Sequence, residues 1–199
     1  MALTATADPA TRADIIGFDM ARDLGRLQDR MPPFPRAAAV AEIERAFGKP
    51  LGEWFDEFSE PIAAASIAQV HRARAKSGAE VAVKILRPRI EAQVAAEFRA
   101  FARAARLVQG FSRTTARMEP VKFVETLKAA AAIELDLRLE ASAASALRED
   151  LATHSAVRVP AVDWALTSRR VLTLEWVDAL PIADLAALDA AGVDRKRLA

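Results

Sequence analysis

A lysine, three acids and a run of small residues are the groups in this 199-residue chain best suited to chemistry. Lys84 stands in Glu80-Val81-Ala82-Val83-Lys84-Ile85-Leu86, a run with the composition of a strand. An ammonium embedded among apolar neighbours is costly unless it meets an acid or a phosphate. The plainer alternative is a strand lysine that snorkels to water. Glu134, Asp136 and Glu140 lie in a helical stretch further along. Asp136 and Glu140 are four apart, so on one helix they share a face and repel unless a cation intervenes. Lys84 is one such cation; with Arg138 as the local one, the acids would be ordinary surface carboxylates. Ahead of Lys84 runs Pro61-Ile62-Ala63-Ala64-Ala65-Ser66. Its small residues suit a turn whose amides approach an anion, although Cβ atoms crowd that approach as glycine would not.

The elements that must position these groups follow from pattern. Residues 66–75 read as a strand, Lys76-Ser77-Gly78 as a turn, and 80–86 as a second strand, together a hairpin. Loop, strand, turn and lysine-bearing strand is the order in which kinases bring a lysine to nucleotide phosphates. A glutamate from the following long helix then pairs with it. Residues 12–29 carry Ile15, Ile16, Met20, Leu24 and Leu27 at helical spacing, stopped by Pro32, Pro33 and Pro35. A second helix spans 36–47, with Val40, Ile43 and Phe47 on one side and Gly48 as its stop. Trp54 to Phe58 opens a strand ahead of the Ala-rich turn. Residues 90–110 form a helix after Pro88, and 120–151 one long helix with Pro120 in its first turn. Residues 157–164 and 169–177 read as a strand pair, and 182–190 as a short helix.

Composition narrows the classes. The formal charge of +1 favours no nucleic-acid partner. The absence of cysteine excludes disulfides and thiolate chemistry. No apolar run approaches the roughly 18 residues that span a bilayer, and the first residues lack the features of a secretory signal. A metal site is not expected, with two distant histidines, His71 and His154; His71 reads as structural. Charge is uneven, however: the stretch from Arg87 to Arg117 holds seven arginines against two glutamates. Arg99, Arg103 and Arg106 share one helix face beside Phe98, Phe101 and Leu107. That face is either solvated surface or a contact for anionic headgroups or an acidic partner.

Ala63-Ala64-Ala65-Ser66-Ile67-Ala68-Gln69-Val70-His71-Arg72-Ala73, followed by Val81-Ala82-Val83-Lys84, closely resembles the UbiB family of atypical kinase-like proteins. That family is linked to ubiquinone biosynthesis, and an Ala-rich loop replaces the Gly-rich loop of ordinary kinases. Leu27-Gln28-Asp29 with Pro32-Pro33, Glu134-Leu135-Asp136 with Glu140, and the run from Val171 to Asp178 resemble further family segments. The resemblance implies an α+β fold, a kinase-like small lobe of antiparallel sheet and long helix. It implies a disordered start at 1–10, a helical extension at 11–52, the small lobe at 53–178 with an inserted helix at 90–110, and the start of a truncated large lobe at 179–199.

The same resemblance implies the roles. Ala63, Ala64, Ala65 and Ser66 would cover the phosphates of ATP, Lys84 would bind phosphate oxygens, and Glu140 would orient Lys84. Glu175, Trp176 and Val177 would meet the adenine edge, and Glu134 and Asp136 would be regulatory or metal-adjacent. Mg2+ would find its ligands in the missing large lobe. The chain departs from the family where a Lys-x-Gly-Gln element should stand, at Thr4, Thr6 and Ala7, and it contains no Asp-Phe-Gly. The expectation is therefore an ATP-binding, kinase- or ATPase-like protein supporting ubiquinone biosynthesis, a fragment inactive by itself. Its location would be cytoplasmic and peripheral on the inner membrane. The alternative is a non-catalytic lipid- or protein-interaction module working through the Arg99 face.

Overall fold

The computed structural model describes residues 32–111, 115, 117–153, 157–180, 182 and 184–194. The expected helix at 12–29, the positions Thr4, Thr6 and Ala7, and His154 lie outside these residues. The elements in order are α1 (Arg36–Phe47), a 3-10 turn (Leu51–Glu53), β1 (Phe55–Ala64), β2 (Ala68–Ala75) and β3 (Glu80–Leu86). Then come α2 (Ile90–Phe111), α3 (Pro120–Glu134), α4 (Leu137–Asp150), a second 3-10 turn (Trp164–Leu166), β4 (Val171–Glu175) and α5 (Leu185–Ala190).

The four strands form one antiparallel sheet in the order β1-β2-β3-β4. The β2–β3 hairpin closes as its residues dictate: Gly78 takes φ 84°, a left-handed value that a side chain would resist. Its register is continuous from Arg74↔Glu80 to Ala68↔Leu86. The strand period of two then divides β3 between two cores. Val81, Val83 and Ile85 join Ala39 and Ile43 of α1 on one face. Leu86 joins Leu135, Leu137 and Ala141 at the start of α4 on the other. Lys84 belongs by parity to this second face, between Val70 of β2 and Leu172 of β4. The sheet is thus sandwiched, α1 on one side and α4 on the other.

Three expectations need correction. The stretch 120–151 is two helices. Leu135 and Leu137 are both buried in the same core, yet residues two apart on a helix point about 200° apart. A break lets both face the sheet. Asp136 makes the break stable by adopting an extended conformation and capping α4, its carboxylate accepting the Arg138 N–H at 3.1 Å. Second, residues 61–64 are not loop: β1 continues through Ala64, with register shifts on either side of Pro61. Proline cannot donate to a ladder, and β1 is an edge strand, where that loss is tolerated. Third, 157–164 does not pair along 169–177. Ladder pairing there is a single bridge, Val162↔Leu174. Asp163 instead caps a 3-10 turn through the Ala165 and Leu166 amides.

Candidate functional site

The strand that carries Lys84 and the helix that carries Glu140 meet across the second core. Lys84 Nζ donates to both carboxylate oxygens of Glu140, at 2.9 and 2.7 Å. Both side chains are largely shielded, 14% and 20% exposed. An ammonium has three donors, and Glu140 takes two. Helix α4 is held at the right height by small residues and by its own first amide. Ala141 is fully buried against the sheet, and the Leu137 N–H donates to the Arg169 carbonyl just before β4.

The other expected site residues divide. The turn between β1 and β2 is reduced to Ala65, Ser66 and Ile67, with Ala63 and Ala64 paired to Val70 and Gln69. The Ala65 N–H closes the turn on the Ala68 carbonyl at 2.8 Å. Asp136 faces its own helix: Arg138 donates to both of its oxygens. That guanidinium, with the Arg138 amide, holds the Asp136 carboxyl below the usual carboxylate range despite some desolvation. Glu134 is the half-buried last residue of α3.

At the far end of the sheet, the Glu175 carboxylate accepts the Ala161 amide and pairs with Arg158. Those contacts lower its pKa, the backbone hydrogen bond most among them. Glu175 therefore tethers the 158–161 segment. The Trp176 amide is committed to the Glu80 carbonyl at 3.0 Å, and its ring lies under the Arg72 guanidinium, 4.7 Å away. Val177 follows, partly exposed. Of the three residues expected at the adenine edge, the first two are thus occupied within the sheet by these groups.

Three polar features had no sequence signal beyond residue type. Gln69, 1% exposed, brackets the Phe34 backbone: its oxygen accepts the Phe34 N–H and its amide donates to the Phe34 carbonyl. His71, also buried, sits between the Ser59 carbonyl and Gln69 and stacks on Phe58 at 4.4 Å. The carbonyl requires the proton on Nδ1, so Nε2 accepts from Gln69. Burial keeps the imidazole pKa below its usual value. Third, Arg170 joins α1, the end of β3 and α2 by donating to Glu42, the Arg87 carbonyl and Glu91.

A small antiparallel sheet bearing an embedded lysine, gripped by a glutamate from a packed helix, defines the small lobe of a kinase-like protein. The model of the ABC1 atypical kinase-like domain matches residues 26–199, and the chain belongs to that family. It is 40% identical over 191 residues to a protein named "Probable protein kinase UbiB" from Marinobacter nauticus, covering 96% of this chain and 35% of that protein. It is 42% identical over 196 residues to the protein of that name from Xanthomonas oryzae pv. oryzae, with the same coverage, 96% and 35%. The chain thus spans about a third (35%) of the length of these relatives. Among solved structures, the complex of Rv3197 with erythromycin from Mycobacterium tuberculosis superposes with a TM-score of 0.69 at 28% identity. The match covers 94% of this chain and 46% of that one.

Proposed function

We propose that this chain is the nucleotide-binding small lobe of an atypical kinase or ATPase supporting ubiquinone biosynthesis. The observation that carries the reading is the Lys84–Glu140 pair, bidentate at 2.9 and 2.7 Å on a shielded sheet face. A lysine so held presents its remaining donor in a fixed place, which positions it for a phosphate oxygen. In this reading Ala63, Ala64, Ala65 and Ser66 lie over the phosphates. The backbone from Val177 onward meets the adenine edge, and Glu134 and Asp136 act beside the site through the hinge between α3 and α4. The lobe spans 53–178, preceded by the extension at 11–52.

The residues present fit a nucleotide: a held cation, and a turn with an unused amide at Ser66. ATP supplies the phosphoryl group. Mg2+ is a different case. Among the described residues no cluster of three or more His, Cys, Asp or Glu could hold a metal ion. The described side chains do not fit it, and no step is assigned to it.

The test is an NMR titration with ATP. Amides of residues 64–69 and of Lys84 are expected to shift, with a Kd of about 1 mM, and Lys84→Met removes the shifts. Movement elsewhere with these amides unmoved would overturn the assignment. The sequence has no Asp-Phe-Gly, the element that supplies a metal-binding aspartate in kinases. Phosphate release by the 199-residue chain is therefore expected to match that of Lys84→Met.

A second reading, peripheral contact with an anionic inner-membrane surface, is favoured by α2. Arg99, Arg103 and Arg106 are exposed there beside exposed Phe101, Leu107 and Phe111. No helix among the described residues is long and apolar enough to cross a membrane. Sedimentation with anionic vesicles that fades with added salt and with arginine-to-glutamine changes is the expected outcome.

A further inference from the structure

We infer that Arg87 is the positioning residue of the nucleotide turn, aiming the Ser66 N–H outward as a phosphate donor. The inference rests on the nucleotide reading above. Arg87 follows β3 and reaches both ends of the three-residue turn at once. Its Nε donates to the Ala65 carbonyl at 3.0 Å, and its own amide donates to the Ile67 carbonyl at 2.8 Å. A trans peptide is planar, with its carbonyl and its N–H on opposite sides, and none of the described peptide bonds is cis. Drawing the Ala65 carbonyl toward Arg87 therefore turns the Ser66 N–H away from it. That N–H has no hydrogen-bond partner among the described residues, and Ser66 is exposed.

In a Gly-rich loop the backbone is free to rotate its amides toward an anion. An alanine turn lacks that freedom, so the direction of the peptide must be imposed from outside. Arg87 is placed to impose it, because its guanidinium is itself fixed. Nη2 donates to the Pro32 carbonyl at 3.0 Å, the Phe34 ring lies 5.7 Å from the guanidinium, and the Arg87 carbonyl accepts from Arg170 at 2.9 Å. The rigid fork of arginine suits two carbonyls in different chain segments; a lysine ammonium lacks it.

The test uses the whole chain with Arg87→Met and Arg87→Lys. In NMR titrations, Arg87→Met is expected to weaken ATP binding about tenfold, the equivalent of one charge-assisted hydrogen bond. Adenosine, which has no phosphate, should bind within about twofold of the unmodified chain. Arg87→Lys keeps the charge and is expected to remain as weak for ATP as Arg87→Met; full recovery would assign the effect to charge and overturn the inference. Without ligand, hydrogen exchange at the Ala65 N–H should accelerate about tenfold in Arg87→Met while Val83 is unchanged. Unchanged exchange at Ala65 would also overturn it. If Arg87→Met does not fold, Arg87→Lys carries the same comparisons. If the unmodified chain shows no response to ATP, the nucleotide reading fails, and exchange at Ala65 still decides whether Arg87 holds the turn.

Discussion

Two shielded cations in this lobe are held in opposite ways. Arg170 is held at all three guanidinium nitrogens: its Nε goes to Glu42, Nη1 to Glu91 and Nη2 to the Arg87 carbonyl. Among the described residues Lys84 meets a single carboxylate, that of Glu140. The difference separates a fastening from a site. A charge tied to partners in three chain segments fixes those segments to one another. A charge with one partner and a donor to spare is stable enough to stay in place and incomplete enough to bind.

The comparison is broken most directly at Arg170. Arg170→Met takes from Glu42, 5% exposed, one of its two cations and leaves it Arg45 alone. It is expected to lower the free energy of unfolding by about 2 kcal/mol, as losing charge-assisted hydrogen bonds does. Denaturant midpoints check this. Adding Glu42→Gln should recover part of the loss, because the carboxylate short of one cation is then gone. Lys84→Met is the contrasting variant. Glu140 is 20% exposed against 5% for Glu42, so its charge stays partly hydrated and the stability change is expected to be smaller, about 1 kcal/mol. Nucleotide-induced shifts disappear all the same. A large fall in stability at Lys84 with nucleotide binding intact would make the two cations alike and remove the distinction.

Acid should act on the fastenings in sequence. Burial lowers the His71 pKa from its ordinary 6.5. The unfolded chain therefore takes up a proton that the folded one refuses, and stability falls as pH drops below about 6.5. Glu91 is lowered from 4.5: desolvation opposes the shift, but the Arg170 contacts outweigh it. Its contribution is present above that range and is lost as pH falls through the depressed value. Thermal melts from pH 7 to 3 should show both losses, with His71→Gln removing the earlier one. The smallest effect is at the helix break. Asp136→Ala should cost about 1 kcal/mol through the lost cap, and Asp136→Asn less, since an amide oxygen still caps.

What could be read from the sequence was local or repeated. The hairpin at Ser77-Gly78, the α1 helix ending at Gly48 and the alternation around Lys84 are all short-range patterns, and each corresponds to an element of the structure. The pairing of Lys84 with an acid followed from the kinase order of elements, and the family resemblance singled out Glu140 as that acid. The fastenings were not legible because their partners are far apart. Arg170 and Glu42 are separated by 128 residues, and neither stands in a distinctive motif. Gln69 and Phe34 are 35 apart, and a glutamine inside a strand gives no sign that it will bracket another segment's backbone. The break at Asp136 had a signal, an N-cap residue between two leucines that both require burial. Helical continuity across 120–151 masked it.

Ala141 carries a consequence of its own. It is fully buried where α4 lies on the sheet, next in sequence to the residue that grips Lys84. A methyl side chain there works as a shim that sets the gap between helix and strand. Each added carbon at this position would jack the helix outward and stretch a contact of 2.7 Å that has little slack. The reach of the glutamate is thus gauged by its neighbour, and a graded series at Ala141, from glycine through valine, would act as a thickness adjustment on the grip without touching either charged group.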